Sequence, residues 1–254
     1  MKKKIEKIVK KLKTNPKKEE FLLFLQSMEG LFASGDESFE YIKSCGMPID
    51  ERDGVVFLKT MNTPYEKELF CIVDIETNGS KPINSQIIEL GAVKMRGTEV
   101  IDRFESFCFS DFVPEYVTKV TNITKKDLVG APTMKDVLKE FKLFLGDALF
   151  VAHNVEFDYS FISAMLSKNS LGVLTNRKLC TIELAKKTIE SEKYGLEFLN
   201  AYLEINTEVS HRAYADALTA AKLLEICLKN VPEDVKTTEE LIDFSKHNIK
   251  KRKK

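Results

Sequence analysis

The feature that most constrains the fold is an apolar run that ends in two acids. Residues 69–73 are all apolar or aromatic, and they are followed by Asp74, Ile75 and Glu76. An apolar run without alternation is typical of a strand that is buried on both faces. Because alternate side chains of a strand point to the same face, Asp74 and Glu76 point together and Ile75 points away. The pattern indicates that the two acids belong to one site.

Two carboxylates at the end of a buried strand repel each other and lose hydration, so they stay ionised only beside a positive charge. Divalent cations such as Mg²⁺ or Mn²⁺ prefer oxygen ligands, and this stretch offers no paired Cys or His. The opposing interpretation is chance, because about one Asp-x-Glu tripeptide is expected in a chain of this size. The rest of the chain has to separate the two interpretations.

The composition allows one sizeable domain and a smaller appendage. The chain has 254 residues, 43% of them hydrophobic, and a domain usually takes about 100–200 residues. No apolar run approaches the ~20 residues of a membrane span, and the basic N-terminus is not followed by an apolar signal segment. We therefore expect a cytoplasmic protein without a membrane partner. Its five scattered cysteines, none in a Cys-x-x-Cys spacing, are expected to be reduced thiols in the core.

The charge is balanced overall but unevenly distributed. There are 39 Lys and Arg residues and 39 Asp and Glu residues. Both ends are nevertheless basic, so the middle of the chain is net acidic. Metal ions bound to an acidic centre invert the local sign, which makes this distribution compatible with a phosphate-containing partner. The basic ends are interpreted either as arms that track a nucleic-acid backbone or as solvated tails.

The order of elements predicts an α/β fold in three parts. These parts are a basic arm with a small helix-helix-strand accessory region (1–65), a main domain (66–231), and a short helix with a basic tail (232–254). The accessory region has two interpretations, a winged-helix-like element and a packing appendage. Its predicted helices and strand are 18–33, 37–44 and 54–58.

The main domain is predicted to be a mixed β-sheet flanked by helices. The strand that carries the two acids is followed by two more strands after short connections, which favour antiparallel neighbours. Alternating helices and strands then follow, which is typical of an α/β layer arrangement. The further predicted strands are 86–95, 100–109 and 148–152, and the predicted helices are 133–145, 155–168, 181–191, 195–203 and 212–230.

A second stretch also places an acid shortly after the end of a buried strand. A strand ends near Ala152, His153 and Asn154 turn the chain, and Asp158 lies in the first turn of a helix. A negative charge is favoured at that end of a helix, so ordinary capping also explains Asp158. His153 and Asn154 are expected to face the same cleft as the acids. Hydrogen bonding of the loop backbone is an alternative role for both.

The third stretch contains His211 and Asp216. Residues five apart on a helix are about 140° apart around its axis, so these two do not share a face if both are helical. We therefore expect His211 on the loop before the helix, with Asp216 on the helix.

Four acids and one loop histidine have a joint chemical interpretation. Two divalent ions about 3.5–4 Å apart, bridged by carboxylates, stabilise both the attacking and the leaving oxygen at phosphorus. An imidazole titrates near neutral pH, so His211 is suited to take a proton from the attacking water. The predicted reaction is hydrolysis of a phosphodiester.

These stretches resemble the three motifs of the DEDDh 3′→5′ exonucleases, which have an RNase H-like fold. The resemblance covers about residues 68–230, and within the family it is greatest to the proofreading (epsilon) subunits of bacterial DNA polymerase III. The three motifs together are specific, whereas any one is weak. The matching residues are Asp74-Ile75-Glu76-Thr77, His153-Asn154-x-x-Phe157-Asp158 and His211-x-Ala213-x-x-Asp216.

The resemblance assigns roles to individual residues. It implies that two Mg²⁺ or Mn²⁺ ions are held by Asp74, Glu76, Asp158 and Asp216. It also implies that His211 is the general base, because Arg212 stands where a sister branch of the family has Tyr. The residues that it implies in substrate binding are Thr77, Asn154, His153 and Thr121.

Thr121 belongs to a stretch, residues 114–132, that is similar to the family's loop beside the substrate terminus. Asn122 stands in this loop where Gly is usual. Because Asn is one of the few residues that accept a positive φ, we expect the turn to be kept.

The expected function is that of a metal-dependent 3′→5′ exonuclease on single-stranded DNA ends, with a DNA polymerase catalytic subunit as a partner. One alternative keeps the chemistry and changes the substrate to RNA ends or short oligoribonucleotides. Another is a catalytically weak nucleic-acid-binding or polymerase-tethering module, against which the presence of all four acids and the histidine argues. Residues 1–65 have no counterpart in a minimal member of the family, and no clamp-binding sequence follows Pro232. Polymerase association is therefore less supported than nuclease activity.

Overall fold

The computed structural model describes residues 2–205 and 211–246. Met1, residues 206–210 and residues 247–254 lie outside the described residues, and His247 and the basic tail lie there with them. Within the described ranges the helices are α1 (Lys2–Leu12), α2 (Lys18–Gln26), α3 (Gly35–Ser44), α4 (Glu115–Thr121), α5 (Met134–Leu145), α6 (Val155–Lys168), α7 (Thr181–Thr188), α8 (Leu196–Tyr202), α9 (Ala213–Lys229) and α10 (Thr238–Lys246). The strands are β1 (Ile49–Arg52), β2 (Val55–Leu58), β3 (Leu69–Thr77), β4 (Ile87–Arg96), β5 (Glu99–Phe107), β6 (Leu149–Ala152) and β7 (Lys178–Cys180). Short 3₁₀ turns lie at Lys59–Met61, Tyr65–Lys67 and Lys125–Leu128.

Five strands form a mixed sheet in the order β5-β4-β3-β6-β7. β4 pairs antiparallel with β3 and β5, whereas β6 pairs parallel with β3 and β7. This sheet, flanked by helices, confirms the predicted meander and the predicted α/β class. The edge strand β7 and the helix α4 are additions to the prediction, because three and seven residues are too few to show a period.

The central strand β3 is buried on both faces, as its apolar run predicts. Phe70 and Ile72 belong to the hydrophobic cluster that contains the buried face of α9. Cys71, Val73 and Ile75 belong to the opposite cluster, with the buried faces of α5 and α6. The alternation continues to the end of the strand, so Ile75 is turned away from the two acids that flank it. The central strand therefore delivers both carboxylates to one face at one edge of the core.

The N-terminal region packs its own hydrophobic cluster from α1, α2, α3 and the antiparallel hairpin β1–β2. The prediction of a helix over 18–33 is wrong at its C-terminal end, because α2 stops at Gln26. Gly30 has a φ of 76° in the segment that follows, a conformation that interrupts a helix. The next helix then begins after Ser34, whose side chain accepts a hydrogen bond from the Glu37 backbone N–H.

The C-terminal helix α10 is part of the main core. Leu241 and Ile242 are fully buried in the cluster beneath α9. Glu239, which is 5% exposed, accepts hydrogen bonds from the Thr60 hydroxyl (2.8 Å) and Arg177 Nε (3.1 Å), and Lys13 Nζ lies 2.9 Å away. One carboxylate thus joins the N-terminal region, the sheet and α10. The division of the chain at residues 65 and 231 stays a prediction.

No helix in the described ranges combines the length and the hydropathy needed to span a membrane.

Candidate active site

A cavity of about 500 Å³ opens at the C-terminal end of β3. The four predicted acids all line it, together with both histidines of the motif stretches. These six residues are Asp74, Glu76, His153, Asp158, His211 and Asp216. The fold therefore brings together side chains from β3, from the turn and helix after β6, and from the start of α9.

Three of the acids approach closely enough to share one cation. One carboxylate oxygen each from Asp74, Glu76 and Asp216 lies within 4.8 Å of the other two, and all three side chains are half-buried. This donor set consists only of carboxylate oxygens, the ligands that hard divalent cations prefer. The geometry fits a divalent metal site.

Asp158 joins this group from the first turn of α6. The side chain is only 3% exposed, and burial raises the pKa of its carboxyl to about 7, even though hydrogen bonds from the backbone N–H groups of Asp158 and Ile75 lower it. Because Ile75 lies between Asp74 and Glu76, this contact fixes the start of α6 against the end of β3. Asp158 is therefore held beside the other acids by backbone contacts.

The electrostatics of the cluster also fit a metal. Loss of solvent, and then the neighbouring carboxylates of Asp158 and Glu76, raise the pKa of Asp74 well above its ordinary value. Burial, and then Asp216 and Glu89, raise the pKa of Glu76 to about 8. Crowded acids of this kind hold protons near neutral pH unless a cation neutralises them. A bound divalent ion would attract every carboxylate in the cluster, and the acids could then stay ionised at neutral pH.

An ion pair between the buried Glu89 of β4 and the half-buried Arg212 before α9 positions the third stretch. Glu89, which is 1% exposed, accepts hydrogen bonds from Arg212 Nε (3.0 Å) and Nη2 (2.7 Å) and from the Ala213 backbone N–H (3.0 Å). Arg212 also lies over the ring of Phe107, 5.2 Å from its centroid. Since Glu89 pairs in register with Glu76, this contact fixes the first turn of α9 beside the acids.

The same helix approaches β4 closely at Gly91. A Cβ atom at this position would lie 2.2 Å from the backbone nitrogen of Tyr214. Only glycine allows this packing, because such a distance is far below van der Waals contact. Gly91 and Glu89 together place the N-terminus of α9 against the end of the sheet.

His211 lies on the loop before α9, as the spacing predicts. Its φ is 63°, which is rare for a residue other than glycine. Its backbone N–H donates a hydrogen bond to Asp216 Oδ2 (2.8 Å), and its side chain is exposed and lines the cavity. Burial raises the pKa of Asp216, although the hydrogen bond from His211 acts in the opposite direction. His211 and Asp216 thus combine an accessible imidazole with a carboxylate that is held by a backbone hydrogen bond.

Both ring nitrogens of His153 are engaged in hydrogen bonds. Nε2 lies 2.8 Å from the Tyr194 carbonyl oxygen, and Nδ1 lies 2.9 Å from the Thr181 hydroxyl. Burial lowers the pKa of His153 to about 4, so the ring is neutral at pH 7. Because a carbonyl only accepts, Nε2 carries the proton and Nδ1 accepts from the hydroxyl. These contacts are compatible with the alternative of backbone hydrogen bonding, and His153 also lines the cavity.

The other predicted substrate residues lie outside the lining of this cavity. Thr77 ends β3, and its hydroxyl donates to the Gly79 carbonyl oxygen. Asn154 is exposed before α6, with a φ of 81°. Thr121 is 3% exposed and bonds within its own turn, donating to the Val117 carbonyl and accepting from the Ile123 N–H. The Thr121 side chain is buried, and its predicted contact with a substrate stays a prediction.

The turn next to Thr121 is kept as predicted. Asn122 ends α4 with a φ of 60° and a ψ of 8°, in the left-handed region. Asparagine accepts this conformation at low cost, which is why it substitutes for glycine here.

Sequence reasoning missed Glu89 and the contribution of α8. A charged residue in the middle of the apolar run of β4 was the available signal for Glu89, since an acid in such a run needs a buried partner. Leu196 and Phe198 of α8 form an apolar side of the cavity. Their spacing resembles that of any amphipathic helix, so the sequence carried no separate signal for them.

Comparison with known proteins identifies the family of the chain. Residues 71–224 match the family model described as Exonuclease (RNase_T). The DNA polymerase III PolC-type of Staphylococcus haemolyticus is 38% identical over 180 residues, which are 69% of this chain and 12% of that protein. The PolC-type polymerase of Staphylococcus saprophyticus is 36% identical over 190 residues, 73% of this chain and 13% of that one. The chain thus spans about an eighth of the length of these relatives.

Solved structures share the fold at lower identity. Exonuclease X in complex with 5′-overhanging duplex DNA superposes with a TM-score of 0.55 at 22% identity, covering 69% of this chain and 99% of that one. Exonuclease I of E. coli with a dA16 oligonucleotide has a TM-score of 0.59 at 16% identity, covering 70% of this chain and 42% of that one. These likenesses confirm the predicted fold class. With a family match over most of the sheet and its helices, the chain belongs to the exonuclease family.

Proposed function

We propose that this protein is a divalent-metal-dependent 3′→5′ exonuclease that hydrolyses the terminal phosphodiester of single-stranded DNA. The observation that carries the proposal is the convergence of four acids and an exposed histidine on one cavity. Three of those acids offer oxygens within 4.8 Å of one another. The family match supports the reaction class, and the resemblance to the DEDDh motifs supports the 3′→5′ direction.

We infer that Asp74, Glu76, Asp158 and Asp216 hold two Mg²⁺ or Mn²⁺ ions. When bound, such ions neutralise the carboxylates and stabilise negative charge on the attacking and leaving oxygens. The crowding that raises the pKa values of these acids supports the assignment, because it leaves the cluster in need of positive charge.

His211 is the proposed general base. Its side chain is exposed at the cavity, while its backbone is held by Asp216. An imidazole in this position takes the proton from the attacking water at neutral pH. The Glu89–Arg212 pair holds the residue that follows His211.

The substrate terminus is proposed to lie along the ends of β3 and β6. We expect Thr77 and Asn154 to contact the terminal nucleotide there, and His153 to contribute the face of its neutral ring. Single-stranded DNA is the favoured substrate because the PolC-type relatives are DNA polymerases by name and the Exonuclease I structure contains dA16. The same relatives support a DNA polymerase catalytic subunit as a partner.

The test is shortening of a 5′-labelled single strand. We expect stepwise loss from the 3′ end with Mg²⁺ or Mn²⁺ and an intact strand with chelator. His211→Ala should lower kcat by about 10²–10⁴-fold, the usual contribution of a general base. Full activity of this variant would remove the assignment of the base, and full activity in chelator would remove the metal.

A matched RNA strand in the same assay tests the substrate. Faster hydrolysis of RNA than of DNA would replace the DNA assignment by the exoribonuclease alternative. Absence of cleavage on both strands with both metals would reject the enzyme and favour a nucleic-acid-binding module.

A further inference from the structure

A second and larger cavity, of about 790 Å³, lies between the N-terminal region and the main domain. α1 forms one wall, α6 forms the other, and residues 173–178 and the end of α10 complete it. Neither the three acid stretches nor the resemblance assigns a role to this groove.

The groove is elongated along both helices. Its lining on α6 extends from Glu156 to Ser167, and its lining on α1 and the turn after it extends from Lys2 to Lys13. Eleven steps along a helix rise by about 16 Å, so both walls are about 16 Å long. The apolar side chains of Ile5, Val9 and Ala164 lie between the charged ones. This shape is that of a channel rather than of a pocket for a small compact ligand.

Basic residues dominate the charge of the lining. Three acidic residues, Glu6, Glu156 and Asp243, oppose twice as many basic ones. The basic residues are Lys2, Lys10, Lys13, Arg177, Lys178 and Lys246. A channel with an excess of positive charge attracts a polyanion.

Some of these cations are already ordered by internal contacts. Lys178 and Lys2 contact Glu156 at 2.8 and 3.2 Å, and Lys13 contacts Asp243 at 3.0 Å. Arg177 and Lys13 also contact Glu239, at 3.1 and 2.9 Å. Lys10 is exposed, and no hydrogen bond or ion pair links it to another described residue. Lys246 is close enough to Glu239 and Asp243 to interact with their charges. Lys10 is therefore available to an anionic ligand, and the other cations are held along the same channel.

The groove begins next to the acid cavity. Glu156 lies at its end, while Phe157 and Asp158, the next two residues of the same helical turn, line the acid cavity. Successive residues of a helix point about 100° apart, so the first turn of α6 separates the two openings by the width of a single helix.

We propose that this groove binds the backbone of single-stranded nucleic acid on the 5′ side of the terminus held in the acid cavity. The inference rests on the proposed function for the position of the 3′ end. A basic groove that tracks phosphates is the usual device for binding single strands without sequence preference. The N-terminal region thereby supplies one wall of the substrate path, through the lysines of α1.

The test compares two lysines of the same helix. Lys10 lines the groove, whereas Lys7 is exposed and lies outside it. Lys10→Glu and Lys7→Glu change the net charge equally, so a difference between them reports position. Lys246→Gln, on another helix, provides a second groove variant, and melting temperatures verify that all three variants fold.

Binding is measured without metal, by fluorescence anisotropy of oligothymidylates in chelator. For a strand of about 20 nucleotides, longer than most single-strand sites, we expect Lys10→Glu to weaken binding by about five- to tenfold. The slope of log K against log salt should shrink by about 0.7 for each lost phosphate contact. Lys246→Gln should act in the same direction, and Lys7→Glu should stay within about twofold of the wild type. The defect should diminish for a strand of about 3 nucleotides, which is too short to occupy a site of the usual size.

Two outcomes would overturn the proposed role of the groove. One is equal affinity of Lys10→Glu, Lys246→Gln and Lys7→Glu for both strand lengths. The other is failure of the wild type to bind the long strand. The exonuclease assay on the wild-type protein separates these outcomes from failure of the proposed function. If the wild type cleaves the strand stepwise but Lys10→Glu and Lys7→Glu weaken binding equally, the groove is rejected and the proposed function is kept. Groove-dependent binding without cleavage rejects the enzyme and keeps the groove.

Discussion

Two regions of this protein bury carboxylates, and the pKa of the buried acid is raised in one region and lowered in the other. In the acid cavity, burial and neighbouring acids raise the pKa of Glu76 to about 8. At the junction of the N-terminal region, the sheet and α10, burial also acts to raise the pKa of Glu239, but hydrogen bonds and charge from Arg177, with Lys13 and Thr60, lower it to about 2. The partners, rather than burial alone, decide whether a buried acid is charged.

The difference separates a binding site from a structural contact. Glu239 is satisfied by groups within the protein, so it stabilises the fold as it stands. The charged forms of Asp74 and Glu76 are disfavoured by burial and by neighbouring acids, so these acids cost stability until the proposed cation binds. Substitutions, pH and added metal each test this contrast, and the largest effect is expected at the centre of the acid cluster.

Asp74→Asn should reduce the exonuclease rate by about 10³-fold or more. The substitution removes a charged ligand from the centre of the cluster, and a metal ion supplies several kcal/mol to the transition state. The measurement is the initial rate on a 5′-labelled strand with Mn²⁺. Asp234→Asn, an exposed aspartate away from the cavity, is the control. A loss below tenfold would place the metal site elsewhere.

Glu239→Ala should lower the free energy of unfolding by about 3–5 kcal/mol at pH 7, since it leaves Arg177 buried without its partner. Urea denaturation measures the change, and the exposed Glu233→Ala provides the control. A loss no larger than that of the control would show that the junction does not stabilise the fold.

The effect of Glu239 should also depend on pH. Its folded pKa of about 2 lies below the ordinary value of 4.5, so its contribution is present above about pH 4.5 and is lost as the pH falls towards 2. The difference in unfolding free energy between the wild type and Glu239→Gln should therefore shrink as the pH is lowered from about 5 to about 3, because the unfolded chain takes up the proton first. A difference that grows over this range would contradict the assignment.

Mn²⁺ should stabilise the wild type by about 2–3 kcal/mol at a concentration near 100 times its dissociation constant. The gain arises because the ion binds the folded cluster and not the unfolded chain. Thermal melts with and without the metal measure it. The same increase in the Asp74→Asn variant would indicate binding outside the cluster.

Asp74→Asn should slightly stabilise the protein in chelator, by about 1 kcal/mol. The raised pKa of Asp74 means that its charged form is disfavoured in the fold, and the amide removes that charge. The check is the melting temperature of the metal-free variant against the wild type. A lower melting temperature would show that Asp74 makes a structural contribution larger than the repulsion.

The local patterns of the chain predicted much of the fold. The unbroken apolar run of β3 predicts a strand covered on both faces, and the clusters on its two sides confirm it. The spacing of His211 and Asp216 predicts a loop histidine before a helix, and α9 begins at Ala213. A clear period or a fixed spacing allows prediction because it depends on a single secondary-structure element and on which of its faces is buried.

Other features depend on contacts between distant segments. Nothing near Glu89 in the sequence reveals that Arg212 is its partner, 123 residues away. Thr121 is next to a turn that the sequence predicts, yet only the packing shows that its hydroxyl is buried. The end of α2 at Gln26 was missed because the apolar spacing continues past it, whereas the backbone changes direction around Gly30.

The acids and the loop histidine of the candidate site, and the elements on which they lie, were predictable from the sequence, because residue type and period are local properties. The tertiary structure decided how the acids share one cavity, which partner holds each buried charge, and that α1 and α6 enclose a basic groove. Those properties depend on distances through space between parts of the chain that are far apart in sequence. Packing of the sheet against its helices sets those distances, and no single segment contains them.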